Sequence, residues 1–497
     1  MGVLTGSPER PLHVAIVGSG PSGFYAAEAL LDSGLEVQID MIERLPVPYG
    51  LVRFGVAPDH PKLKSVTATY ASIANDSRLR FFGNVELGGD VTVAELGAMY
   101  HAVIIATGAD TDRKLGIEGE HLRGVHAASD FVGWYNGRPE AAALQFDLSQ
   151  EVAMVVGHGN VAIDVCRILA KPVSELRKTD IAKHALEVLE SSRVSEIHLV
   201  GRRGPVQARF TPKELRELGT LPGWQPVVEP ASLALNEASR AELAWPGNNH
   251  AVKNLEILRG FAGRPREPGK VIHLHFHKSP VTLHGSGRLD QVTLEEQRLE
   301  GPALAQFAAP AGRRSAIGAG LLFRSVGYRG TALPGLPFDE CKGFLPNQEG
   351  RVTTITGEVL RGWYATGWIK RGPTGIIGTN RLDSVETVAR LLEDLPHLAR
   401  EGGDRPGRSG LLGALAGKTH VDFPGWLNIE RAEAERGANA GKTAEKFTSV
   451  WEMLAAASSG PPNPAQTREC LKATNSHHPS VPPVPSVPQP LRLLSSP

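Results

Sequence analysis

Cysteine is scarce: the 497 residues contain three, Cys166, Cys341 and Cys470, far apart and in no C-x-x-C arrangement. Such spacing excludes a local redox-active dithiol and a paired-thiolate zinc site, and points to free thiols in a reducing compartment. Net charge is missing too, because 53 Lys and Arg balance 53 Asp and Glu. The global electrostatic footprint of a nucleic-acid binder is therefore absent, and any charged partner must be met by a local patch. No uninterrupted apolar run approaches the roughly 20 residues that cross a bilayer. The opening MGVLTGSPERPL has acid, base and proline but no apolar core, so it reads as neither secretory signal nor anchor. The expectation is a soluble cytoplasmic protein of two or three domains, at about 150 residues each.

What is present is alternation. Strand-like apolar runs bounded by glycine or turn residues recur at 13–17, 36–42, 102–106, 152–156, 196–200, 271–276 and 322–326. Helical patterns such as GFYAAEALLDS and VAIDVCRILAK lie between several of them, which argues for βαβ units, parallel sheet and an α/β fold. After about residue 456 the composition shifts to closely spaced prolines. Proline blocks helix and sheet hydrogen bonding, so 456–497 is expected to be a disordered tail.

Two stretches share one grammar: VAIVGSGPSG at 14–23 and VAMVVGHGNVAID at 152–164. In the first, Gly18, Gly20 and Gly23 fit G-x-G-x-x-G between a strand and a helix. Glycines so placed allow a tight turn, close approach of backbone to a pyrophosphate, and helix-on-strand packing, with the helix N-terminus stabilising the phosphate charge. The next strand, VQIDMIE, ends in Glu43, about 20 residues on, where a carboxylate accepts hydrogen bonds from a ribose. It also repels a 2′-phosphate, so this site suits FAD or NAD.

In the second stretch the glycines are Gly157 and Gly159, with Ala162 in the third position. Its next strand, SEIHLV, runs into Arg202 and Arg203 instead of an acid, and two guanidiniums suit the phosphate monoester that marks NADP. One acidic and one basic ribose position imply FAD at the first turn and NADP(H) at the second. YHAVIIATGAD, 100–110, resembles the crossover between the two domains of flavoproteins with two dinucleotide sites. GWYATGWIKRGPTGIIGTN, 362–380, precedes a helical stretch whose N-terminus can direct backbone N–H groups at a flavin.

Longer motifs narrow the choice. RLPVPYGLVRFGVAPDHPKLK (44–64), FFGNV (81–85), VGRRGPVQARFTPKELREL (200–218), RSVGYRG (324–330) and GWIKRGPTGIIGTN (367–380) resemble the adrenodoxin reductase family of ferredoxin-NADP+ reductases, including its bacterial FprA-type members, over about residues 12–455. The resemblance implies a glutathione-reductase-like flavoprotein of two Rossmann-like domains, with the NADP domain (109–329) inserted in an FAD domain built from 10–108 and 330–455. It also implies FAD contacts from Ser22, Glu43, Leu51, Val85, Trp368 and the backbone at Gly375, Ile376 and Ile377. NADP would be met by Arg113, by Gly159, Asn160 and Val161, by Arg202 and Arg203, and by Glu214, with Gly375 near the nicotinamide. His60, in the APDHP loop, matches a family histidine close to the flavin and is the catalytic candidate. Many relatives with two dinucleotide folds carry a Gly-Asp pair in the C-terminal flavin segment; here it is Gly367 and Trp368, as in this family.

The implied reaction passes electrons from NADPH through FAD to a ferredoxin-type iron-sulfur protein. Such acceptors are usually acidic, so Lys213, Arg216, Lys370 and Arg371 are candidates for a basic docking patch. A disulfide reductase would need a dithiol beside the flavin, and a flavin monooxygenase has no motif here; from a different class, a nucleotide-sensing protein that uses NADPH and FAD only as ligands stays open, and flavin bleaching by NADPH separates it from a reductase. Glu214 and Glu217, spaced i, i+3, read as a solvated face. His273, His275 and His277 alternate onto one strand face, and are expected to be its solvent-facing half and not a metal site.

Overall fold

The computed structural model describes residues 5–401 and 403–459; the proline-rich stretch expected to be disordered lies, from residue 460 on, outside the described residues. A first sheet runs in the order Asn347–Gln348, Arg351–Thr353, Val359–Ala365, Ala102–Ile105, Leu12–Val17, Val37–Glu43, Leu79–Gly83. Its last five strands are parallel. A second, all-parallel sheet runs Val125–Ala127, Leu321–Arg324, Val152–Val156, Glu196–Val200, Lys270–His275, Trp224–Val228.

Unbroken apolar runs suit such strands because both faces of a parallel sheet are covered. On the first sheet, Ile16 and Ile104 pack with Phe24, Leu30 and Leu391 on one side, while Val17, Ile42 and Val103 pack with Leu96 and Leu345 on the other. The second sheet has its own pair of cores, around Ile163, Phe210 and Phe323 and around Met154, Val200 and Leu322.

In each sheet the strand that feeds a glycine turn lies where the strand order reverses. Leu12–Val17 has Val37–Glu43 on one side and Ala102–Ile105 on the other; Val152–Val156 has Glu196–Val200 and Leu321–Arg324. A crevice opens at the carboxyl ends of strands at such a point. An antiparallel three-stranded sheet, Lys278–His284, Gln291–Glu300 and Phe307–Gly318, completes the middle of the chain.

The histidine face differs from expectation. Lys270–His275 is an interior strand, so His273 and His275 are half-buried, not solvent-facing. His273 stacks on His198 at 4.9 Å between ring centroids and His275 does so at 5.2 Å, while His277 has left the strand at φ 56°. Glu196 Oε1 lies 3.1 Å from Nε2 of both His198 and His273. Among the described residues no group of three or more His, Cys, Asp or Glu is placed to hold a metal ion.

Burial depresses these imidazoles, His198 to about 4 and His275 to about 3, and likewise His101, His126 and His158 to about 4. Their folded values lie below the unfolded value of about 6.5. The stability tied to their neutral forms is therefore fully present above pH 6.5 and lost as pH falls towards 4. Each adds up to ~1.4 kcal/mol per pH unit to the slope. Urea titrations across that window should show the unfolding midpoint dropping steeply with acidification; a level midpoint would contradict the burial.

Candidate functional site

The three glycines of the first turn meet three different constraints. Gly18 has φ +107°, and a Cβ there would lie 2.5 Å from the Ala106 carbonyl oxygen; one on Gly23 would lie 2.1 Å from that of Gly18. Gly20, which caps the Pro21–Leu31 helix, faces open space, with nothing within 4 Å of where its Cβ would be. Two glycines thus let the backbone pack, and the middle one leaves room for a group above the helix N-terminus. That is the fit a dinucleotide pyrophosphate requires.

The expected partners gather on this turn. Glu43 ends its strand half-buried, its Oε2 accepting from Ser19 N (3.1 Å) and Ser19 Oγ (2.8 Å) and its Oε1 from Leu45 N (3.2 Å). Val85, buried, donates its N–H to the Glu43 carbonyl at 2.9 Å. Leu51 belongs to a short helix, Gly50–Phe54, entered through Tyr49, whose N–H reaches the Ser19 carbonyl at 2.9 Å. Ser22 abuts Gly367, where a Cβ would lie 2.0 Å from Ser22 Oγ, and its carbonyl accepts from Ser384 Oγ at 3.0 Å. Trp368 follows at once, stacked at 5.8 Å on Tyr328. Gly375, Ile376 and Ile377 lead into the long helix Thr379–Glu401, and Ile376 is 65% exposed. Asp383 of that helix accepts the Gly367 N–H at 2.5 Å and so holds the segment in which Trp368 stands in place of the aspartate of the Gly-Asp pattern.

The second turn repeats the design. Gly157 has φ +135° and its Cβ would lie 2.1 Å from the Ser325 carbonyl oxygen, whereas Gly159, capping the Asn160–Ala170 helix, again faces open space. Asn160 and Val161 start that helix half-buried, and Asn160 Oδ1 accepts from Thr211 N at 2.8 Å. Arg202 and Arg203 follow Glu196–Val200 with no ion-pair partner among the described residues. Glu214 is buried, and its Oε2 has no hydrogen-bond partner, an unsatisfied acceptor of the kind a ligand hydroxyl satisfies. Arg113 is tied elsewhere, to the carbonyls of Tyr328 (3.3 Å) and Lys342 (2.8 Å); Tyr328 in turn carries it towards Trp368.

Between the turns lies an ion cluster that sequence reading did not assemble. His60, 8% exposed, has Nε2 2.9 Å from Glu217 Oε2. Arg167 Nε lies 3.2 Å from the same carboxylate, and its Nη2 bonds Asp59 and Asp164, each at 3.0 Å; Lys171 adds a 2.8 Å contact to Asp59. Asp59, His60, Arg167, Lys171 and Glu217 line a cavity of about 200 Å³ with Thr220, Leu221 and Pro222. Burial alone would raise Asp59, but Arg167 and Lys171 hold it well below the usual carboxylate range; burial prevails at Asp164 and raises it. At Glu217 burial is outweighed by His60 and Arg167, which lower it.

Two expectations need correction. Glu214 and Glu217 do share a helical face, but that face is turned inward, and it is Lys213 and Arg216 that are exposed. Lys370 is buried against Asp383 (3.1 Å) and Glu386 (2.6 Å), and Arg371 bonds Asn380 at 2.8 Å. A buried, paired lysine cannot serve a docking patch. The signal for the ion cluster was present only as Asp164 and Arg167, spaced i, i+3 in a mostly apolar helix, with Lys171 one turn on at its C-cap.

The Pyridine nucleotide-disulphide oxidoreductase family matches residues 12–218. Cys166 and Cys341 are free, the first buried and the second exposed, so among the described residues no dithiol stands by either turn. The chain is 46% identical over 459 residues to the NADPH-ferredoxin reductase FprA of Mycobacterium tuberculosis (strain H37Rv), covering 90% of this chain and 99% of that protein. It is 42% identical over 457 residues to the mitochondrial NADPH:adrenodoxin oxidoreductase of Homo sapiens, covering 90% and 92%. The structure of Mycobacterium tuberculosis FprA in complex with NADPH superposes with a TM-score of 0.84 at 41% identity, over 90% of this chain and all of that one. Two glycine turns with opposite charge at the ribose position, and likeness over nine-tenths of its length, place the chain in the adrenodoxin reductase family of NADPH-ferredoxin reductases.

Proposed function

We propose that the protein is an NADPH-dependent FAD oxidoreductase that passes electrons to a ferredoxin-type iron-sulfur protein. The observation that carries this is the pair of glycine turns, each open above its middle glycine, one faced by Glu43 and the other by Arg202 and Arg203. When bound, FAD accepts a hydride from NADPH and releases the two electrons singly, which matches a two-electron donor to a one-electron acceptor.

The chain's own part is binding and alignment. Gly18, Gly20, Ser22 and Gly23 hold a pyrophosphate at the first turn, Glu43 takes the ribose, and Leu51, Val85, Trp368 and the backbone of Gly375, Ile376 and Ile377 enclose the flavin. Gly157, Gly159, Asn160 and Val161 hold the second pyrophosphate, Arg202 and Arg203 the phosphate monoester, and Arg113 and Glu214 further parts of NADP(H). His60 is the catalytic candidate: Glu217 fixes its Nε2, so a proton at that atom is held in a defined place. We assign residues 10–108 and 330–455 to FAD binding and 109–329 to NADP(H) binding, since the strands of the two sheets divide along those lines. Lys213 and Arg216 remain as candidates for meeting an acidic partner.

Among the described residues no helix is long and apolar enough to cross a membrane, and the balanced charge gives no field for nucleic acid; we place the enzyme in the cytoplasm. Stopped-flow absorbance tests the reading. Flavin colour should bleach rapidly on mixing with NADPH, far more slowly with NADH, and return on adding oxidised ferredoxin. A flavin that stays oxidised with NADPH would overturn it.

A further inference from the structure

The basic side of the second turn holds more charge than Arg202 and Arg203 supply. Residues 209–211 are strapped back onto the turn by three hydrogen bonds. The N–H groups of Arg209 (2.7 Å) and Phe210 (3.1 Å) donate to the carbonyl of His158, which stands between Gly157 and Gly159, and that of Thr211 donates to Asn160 Oδ1 (2.8 Å). Phe210 is buried, with its ring 5.8 Å from that of His158. The backbone of Arg209 is thus fixed one hydrogen bond from the loop whose open middle glycine faces the phosphate space, and its side chain is exposed.

Gly201, just before the arginine pair, abuts the same His158, since a Cβ there would lie 2.2 Å from its Nδ1, so the earlier pair and Arg209, on either side of the single turn Pro205–Gln207, are both anchored at one residue of the loop. Their proximity registers on Arg203, which burial, then Arg209, then Arg202 push below the usual arginine range. The carboxylate that offsets this at Arg203, Glu242, is already engaged by Gln207 Nε2 (3.0 Å) and Gln306 Nε2 (3.1 Å). Neither Arg202, Arg203 nor Arg209 has an ion-pair partner among the described residues. With Glu242 offsetting them only in part, the three guanidiniums repel one another, and a doubly charged anion relieves that repulsion.

We propose that Arg209 is a specificity-determining residue of the NADP(H) site, a third guanidinium for the phosphate monoester on the adenosine ribose. This rests on the reading of the second turn as an NADP(H) site. The strapping uses the backbone of Arg209, so replacing its side chain leaves the loop in place.

Calorimetric titration of the FAD-loaded protein with 2′,5′-ADP (adenosine 2′,5′-bisphosphate) and with 5′-AMP, which differ only in that monoester, tests the assignment without turnover. Arg209→Gln should weaken 2′,5′-ADP about fivefold and leave 5′-AMP unchanged, with Arg209→Lys between. The salt dependence of 2′,5′-ADP binding should flatten in Arg209→Gln, since fewer charges engage the ligand. Equal weakening of both ligands, or of neither, would overturn the role of Arg209 while leaving the site assignment intact. A wild-type protein that does not prefer 2′,5′-ADP over 5′-AMP would instead remove the site assignment, and Arg209 with it.

Discussion

Gly20→Ala should fold and yet purify without flavin. At φ −79°, ψ −175° the position accepts any L-residue, and its Cβ would meet no protein atom within 4 Å. The methyl group instead enters the space above the N-terminus of Pro21–Leu31, where backbone N–H groups would reach a pyrophosphate. Losing two charge-assisted hydrogen bonds costs about 3 kcal/mol, or more than a hundredfold in affinity. Titrating FAD into the apo variant should show that loss, while its thermal transition stays close to that of wild-type apo protein. Gly18→Ala should do the reverse and cost stability first, because of its positive φ and the Ala106 carbonyl 2.5 Å from the new Cβ. Gly159→Ala, at φ −108° and again in open space, should keep FAD and lose NADP+. If Gly20→Ala retained its flavin, the first turn would not be the pyrophosphate site.

Local grammar explains why these turns were legible in the chain. Strand, glycines, helix and the charged residue after the next strand fall within residues 12–43 for the first turn and 152–203 for the second, and each has its own physical requirement. The ion cluster had no such footprint. Asp59 and Arg167 are 108 residues apart and His60 and Glu217 are 157 apart, so only the folded chain brings them together. A period-2 alternation shows that His273 and His275 share a face but not that the face is covered, because coverage depends on the strand being interior to the sheet. Lys370 read as exposed base because WIKRG is polar at its end; the carboxylates that bury it, Asp383 and Glu386, come from the next helix. Pairing between elements, more than the nature of any single residue, is what sequence patterning leaves out.

Arg167→Met should lower the unfolding free energy by about 3–5 kcal/mol, the usual cost of stranding buried charges. Arg167 is 1% exposed, and its guanidinium spans Asp59, Asp164 and Glu217. Methionine fills most of the volume, so the loss reports charge and not a cavity. With Arg167 gone, Asp59 keeps only Lys171, and burial, already its largest influence, raises it. In wild type, Asp59 lies below its unfolded value, so it stabilises the fold above about pH 4 and loses that contribution as pH falls further. In the variant the sign reverses: a raised carboxylate regains stability on protonation, so the gap between the two proteins should narrow from pH 7 to pH 5. Asp59→Asn combined with Arg167→Met should recover part of the loss, and a double-mutant cycle by urea unfolding measures how much. Because the cluster ties the His60 loop beside the first turn to the helix that starts at the second, flavin reduction by NADPH should slow in Arg167→Met even where the protein remains folded. Additive single-variant losses at pH 7 would show that Asp59 and Arg167 do not act as a pair.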